Sequence, residues 1–180
     1  YAREHPEKNF IGVDRKGDRI CVGAERAHEE KLDNVAFLKT RIELLENYFN
    51  PASIAEIWIT FPDPFPRRGC ENKRLTSPRF FEMYVRLLKK HGAIHLKTDD
   101  EDMFAYSCAV AEKLDFSVKD AAHNLHGLPN NSFAHTDREP FDDKGKHCSN
   151  VARQFQTAYE KRYIKKGKKI LYACFAQKKL

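Results

Sequence analysis

Glycine is scarce in this chain, eight residues in 180, and none falls into a G-x-G-x-x-G cluster, so the glycine turn that brings backbone close to a nucleotide is missing from the sequence as it stands. Cysteine is scarcer still. Cys21, Cys70, Cys108, Cys148 and Cys174 are odd in number, widely spaced and nowhere arranged as CxxC, which supports neither a disulfide framework nor a zinc site. They are expected as free thiols. The eight histidines are dispersed without an HExxH pairing, and no metal is expected. No apolar run approaches the length that crosses a bilayer, and Tyr1 to Asn9 carries charge where a signal peptide would have its apolar centre. A soluble, cytoplasmic protein with no membrane partner is the expectation. Internal repeats and low-complexity tracts are absent as well.

What is present suits one compact domain over 1–180: 41% of residues are hydrophobic and 32% charged. The formal net charge is +6, with a sequence pI near 9.0. That excess is unevenly placed. Between Arg67 and Lys97 the cations Arg67, Arg68, Lys73, Arg74, Arg79, Arg86, Lys89, Lys90 and Lys97 face only Glu71 and Glu82. After Glu160 the tail carries Lys161, Arg162, Lys165, Lys166, Lys168, Lys169, Lys178 and Lys179 with no carboxylate. Such clusters suit a polyanion, because each neutralised phosphate releases condensed counterions. A solvated lysine-rich surface would have the same composition.

The pattern of apolar residues alternates strand with helix. Asn9 to Asp14 reads as a strand ending in an acid, and Ile20 to Leu32 has helical spacing closed by Asp33-Asn34. Val35 to Leu38 precedes a helix near Ile42 to Tyr48, and Ile54 to Phe61 precedes a proline-rich loop and a helix near Pro78 to Lys90. Gly92 to Leu96 precedes a helix near Asp102 to Leu114, and Phe116 begins another element. Helical spacing resumes from Val151 to Tyr163, and Ile170 to Phe175 reads as a last strand. Between them, 127–150 is polar and aperiodic and reads as a long surface loop. The alternation implies an α/β fold, a mostly parallel sheet with helices on both faces, whose ligands bind beyond the carboxyl ends of the strands. Asp14, the residues after Leu38, Asp63 and Asp99 all fall just past a strand end.

The most specific feature is Phe61-Pro62-Asp63-Pro64-Phe65-Pro66-Arg67-Arg68, directly after a strand. Prolines on alternate positions hold the backbone extended and remove three amide donors, so neither helix nor central strand continues through them. Asp63 is thereby fixed at the sheet edge, beside two arginines suited to holding phosphates. As a stiffened exit loop, the same run would use Asp63 only to cap a backbone amide.

This run resembles the signature of the bacterial tRNA (guanine-N7)-methyltransferases, which methylate a guanosine in the tRNA variable loop with S-adenosylmethionine. Lys73 to Pro78 follows at the family's distance, His95-Leu96-Lys97-Thr98-Asp99 is similar to its second signature, and Thr157-Ala158-Tyr159-Glu160 to its C-terminal Thr-x-x-Glu. Asn124-Leu125-His126 also fits, and the likeness runs from about Phe10 to Phe175. It implies a Rossmann-like class I methyltransferase fold. It further implies Asp63 as the catalytic acid beside the cofactor, with Arg67, Arg68, Asp99, Thr157, Tyr159 and Glu160 on the tRNA. Asp14 takes the position of the acid that holds the cofactor ribose, and Arg41 and Ile42 take a further cofactor-contact position. From the residues alone, Asp14 and Asp99 could instead serve helix N-termini, and Glu160 could pair with a neighbouring cation on the surface.

Three departures from the family pattern stand out. Arg41 occupies a position that is usually acidic, and a guanidinium cannot accept a hydrogen bond from an adenine amino group. Pro62 and Phe65 stand where relatives commonly have Ser and Trp. The first strand with its glycine turn is absent, so an N-terminal segment is expected ahead of Tyr1. Two other readings compete: a nicotinamide-dependent oxidoreductase, which leaves the Asp63 to Arg68 run unexplained, and a non-catalytic RNA-binding relative of the same fold.

Overall fold

The computed structural model describes residues 1–127 and 148–178, which divide into two compact units, Tyr1–Asn50 and Pro51–Leu180. In the first, strand β1 (Phe10–Asp14), helix α1 (Gly17–Glu29) and strand β2 (Val35–Lys39) form a strand–helix–strand unit, followed by a 3₁₀ turn at Ile42–Asn47. β1 and β2 pair in parallel, from Phe10 opposite Val35 to Asp14 opposite Lys39. Close approach of helix to sheet explains two glycines. A Cβ on Gly23 of α1 would come within 2.6 Å of the Phe37 ring, and one on Gly12 of β1 within 2.9 Å of the same ring. α1 ends before its apolar spacing does because Lys31 adopts φ 52°, after which the Leu32 N–H donates back to Ala27 O at 2.9 Å.

The second unit is built on strands β3 (Ile54–Thr60), β4 (Leu88–Thr98), β5 (Phe116–Ala122) and β6 (Leu171–Gln177), in the spatial order β3-β4-β6-β5. β3 and β4 are parallel, whereas β6 runs antiparallel to both β4 and β5. Helix α2 (Pro78–Leu87) begins at the Pro the sequence singled out and stops earlier than its spacing suggested. Leu88 and Ala93 both pair with β3, so Lys89 to Gly92 is a bulge in the sheet rather than a last helical turn. A Cβ on Gly92 would meet Lys89 O at 2.9 Å and Ala55 O at 3.0 Å.

Both faces of this sheet are covered. On one, Phe81 of α2 meets Phe116 and Phe175 edge-on at 5.0 and 5.6 Å, and Met103 of helix α3 (Glu101–Lys113) is wholly buried. On the other lie Tyr172 and Cys174, packed with Leu125 and with Ala152 of helix α4 (Cys148–Gln154). α4 starts at Cys148 rather than Val151, while 128–147, most of the predicted loop over 127–150, lies outside the described residues. The predicted continuous helix to Tyr163 is two: α4, and α5 (Ala158–Lys165), which opens at the Thr157 N-cap. Among the described residues no helix is long and apolar enough to cross a membrane.

Candidate active site

β3 ends at Thr60 and delivers the chain into the proline run in a strained path, with Phe61 at φ 50° and Phe65 at φ 44°. Two attachments hold that path. The Phe61 N–H donates to Lys97 O on β4 at 2.8 Å, and the carbonyls of Pro64 and Phe65 accept from the Arg74 side chain. Asp63, between the attachments, is exposed. Among the described residues nothing hydrogen-bonds or ion-pairs with its carboxylate, nor with the side chains of Arg67 and Arg68. A free acid and two free cations thus project from one stiffened loop.

The end of β4 supplies a second group. Thr98 closes the strand, Asp100 is the N-cap of α3, and its carboxylate accepts from the Met103 N–H at 2.7 Å. The capping role open to Asp99 therefore falls to its neighbour. Asp99 instead lies 3.3 Å from Lys168 Nζ. Tyr159, on the first turn of α5, is exposed; its ring centre lies 4.7 Å from Phe61 and 4.2 Å from Tyr163, whose own ring carries Lys168 Nζ at 4.4 Å. The structure thus brings Phe61, Asp99 and Tyr159 together from three elements.

Thr157 and Glu160 do something the sequence reading did not assign. They form a capping box: Thr157 Oγ1 accepts from the Glu160 N–H at 3.0 Å, and Glu160 Oε2 accepts from the Thr157 N–H at 3.2 Å. The Glu160 side chain is fully buried, with Lys97 Nζ at 3.0 Å and His126 Nε2 at 2.7 Å. Burial alone would push this carboxyl up, but the His126 hydrogen bond, the Lys97 charge and the Thr157 amide together hold it below the ordinary glutamate value. Lys97 moves down, because desolvation of its ammonium outweighs the nearby carboxylate. The same ammonium donates to the carbonyls of Ala152 and Phe155, both at 2.6 Å, and so closes the C-terminal end of α4. Lys97, His126 and Arg74 went unassigned in the sequence, although the S/T-x-x-E spacing of Thr157 to Glu160 is itself a helix-start signal.

In the other unit, Asp14 ends β1 and Thr40 N donates to its carbonyl at 3.2 Å, so Asp14 and the residues just after β2 share one sheet edge. The Asp14 carboxylate accepts from the Lys16 N–H at 2.8 Å and from Arg19 at 3.1 Å. Partial burial pushes its pKa up, and these two groups more than offset it, leaving Asp14 below the usual carboxylate range. Arg41 is exposed, 3.9 Å from Glu43, and Ile42 opens the 3₁₀ turn, where backbone N–H groups have no acceptor within the turn. Among the described residues no cluster of His, Cys, Asp or Glu could hold a metal ion.

Parallel strands alternating with helices, with β6 inserted antiparallel between β4 and β5, define a Rossmann-like α/β fold with acids at its strand ends. Residues 1–173 match a family model described as "Putative methyltransferase". The chain is 38% identical over 97% of its length to the tRNA (guanine-N(7)-)-methyltransferase of Christiangramia forsetii, and 41% identical over 97% to that of Porphyromonas gingivalis. It spans 70% and 64% of those two proteins. Among solved structures, the 16S rRNA methyltransferase KamB shares the fold with a TM-score of 0.62 at 11% identity, over 99% of this chain and 80% of that one. The chain belongs to the tRNA (guanine-N7)-methyltransferase family.

Proposed function

We propose that this protein is a cytoplasmic enzyme that transfers a methyl group from S-adenosylmethionine to N7 of a guanosine in the variable loop of tRNA. The observation that carries the reading is the Asp63 carboxylate, held at the end of β3 by a proline-stiffened loop and followed by Arg67 and Arg68, all three side chains without a partner among the described residues. When bound, S-adenosylmethionine supplies an electrophilic methyl group on a sulfonium. Guanine N7 carries a free lone pair, so the N–C bond forms as the C–S bond breaks and no proton has to leave first. The protein's task is to place N7 and to stabilise the positive charge that appears on the base.

Asp63 accepts from guanine N1–H and the exocyclic amine, and its negative charge offsets the charge developing on the ring. Arg67 and Arg68 hold tRNA phosphates, as does the lysine-rich tail. Tyr159 and Asp99 border the bound nucleotide. Thr157 and Glu160 act from beneath, through the cap that starts α5 and aims Tyr159 outward. For the cofactor, Asp14 accepts from the ribose hydroxyls. At Arg41 the side chain lies toward Glu43 and, as a donor only, takes no hydrogen bond from the adenine amino group, so a backbone carbonyl after β2 would have to accept it instead.

The test is methylation of an unmodified tRNA transcript, followed by nuclease digestion and mass spectrometry of the nucleosides. One N7-methylguanosine, mapped to the variable loop, is expected. Tight tRNA binding without that product would favour a non-catalytic RNA-binding protein instead.

A further inference from the structure

The loop that carries Asp63 cannot hold itself. Three prolines remove three of its amide donors, and Phe61 and Phe65 sit in the left-handed region, which costs a side-chain-bearing residue roughly 1 kcal/mol or more each. Something outside the loop has to fix its shape. The Phe61 N–H on Lys97 O anchors its start, and Arg74 holds the stretch on the far side of Asp63. Its Nε donates to Pro64 O at 2.8 Å and its Nη2 to Phe65 O at 3.1 Å, so one planar guanidinium spans two successive carbonyls next to Asp63. The side chain is buried, and its guanidinium carbon lies 4.3 Å from the centre of the Tyr106 ring on α3.

We infer that Arg74 is the positioning residue of the active site: it ties the Asp63 loop to α3 and sets the height and direction from which the Asp63 carboxylate meets the guanine. This rests on the proposed function and adds a residue that touches neither substrate. The geometry accounts for the choice of arginine. A lysine ammonium keeps the charge but lacks the rigid fork that satisfies two adjacent carbonyls at once, and it stacks less well on an aromatic face. Arg74 differs in kind from Arg67 and Arg68. Those are exposed, without a partner among the described residues, and bear on binding, whereas Arg74 is engaged and bears on the placement of the acid.

The experiment is a kinetic cycle on the full-length protein with tRNA transcript and saturating methyl donor, using Arg74→Lys, Asp63→Asn and the double variant, with circular dichroism and melting to confirm folding. Arg74→Lys is expected to lower kcat by roughly 10-fold or more, with KM for tRNA within about 3-fold of wild type, because phosphate contacts are intact. In the Asp63→Asn background the same change is expected to cost less than about 3-fold, since Arg74 acts only through Asp63. Tyr106→Leu, which removes the stacking surface, is expected to show the same non-additivity with a smaller single effect. It stands in for Arg74→Lys if that variant does not fold. An unchanged kcat, or losses that multiply fully in the double variant, would overturn the assignment. A wild-type protein that makes no N7-methylguanosine would instead overturn the proposed function.

Discussion

Lys97 Nζ lies 3.0 Å from Glu160 Oε2 with the two side chains 1% and 0% exposed, and the pair joins the end of α4 to the start of α5. A charge left alone in such a site is far more costly than the pair. Lys97→Met is expected to destabilise the protein by about 3 kcal/mol, and Glu160→Gln by a similar amount. The double variant should cost less than the sum by about 2 kcal/mol. Urea titrations of the four proteins measure this coupling. Additivity to within about 0.5 kcal/mol would mean that the two charges do not depend on each other.

The same carboxylate gives a pH signature. Because Glu160 in the folded protein is held below its ordinary value, its contribution is fully present above the unfolded glutamate pKa of ~4.3 and is lost as pH falls through the lower folded value. The gap in unfolding free energy between wild type and Glu160→Gln is therefore expected to shrink as pH drops below ~4.3, where other carboxylates cancel between the two proteins. A gap that stays constant from neutral pH into this acid range would contradict the buried ionised pair.

Arg67 and Arg68 make a separate claim, about affinity. Replacing both by Ala is expected to weaken tRNA binding and to flatten the plot of log affinity against log salt by about one unit or more, one phosphate contact being worth slightly under one unit. Filter binding over a range of salt measures the slope. If it is unchanged, these cations are solvated surface.

Much of this was legible in the sequence because its signals are local. The strand that ends at Asp14, the strand before Phe61, the start of α2 at Pro78 and the last strand all follow from apolar runs meeting a proline or a turn. The antiparallel insertion of β6 between β4 and β5 was not legible, since alternation of elements carries no strand order. Nor was the end of α2, where apolar spacing continues through Leu88 but pairing with β3 wins. Asp99 and Asp100 are adjacent acids at a helix start, and only the Met103 amide decides which one caps. Glu160 was expected at the substrate or on the surface. Its burial depends on Lys97 and His126, which lie 63 and 34 residues away in sequence and carry no periodic signal.

The central claim concerns Asp63, and single-turnover methylation by Asp63→Asn at saturating tRNA and methyl donor tests it most directly. The substitution keeps side-chain volume and the proline-stiffened loop, so the fold should stand. It also turns an acceptor oxygen into a donor facing guanine donors and removes the negative charge opposite the methylated ring. The rate of N7-methylguanosine formation is expected to fall roughly 100-fold or more, with tRNA affinity nearly unchanged because phosphates dominate it. A rate within a few-fold of wild type would contradict the account and reduce Asp63 to a structural acid of the loop.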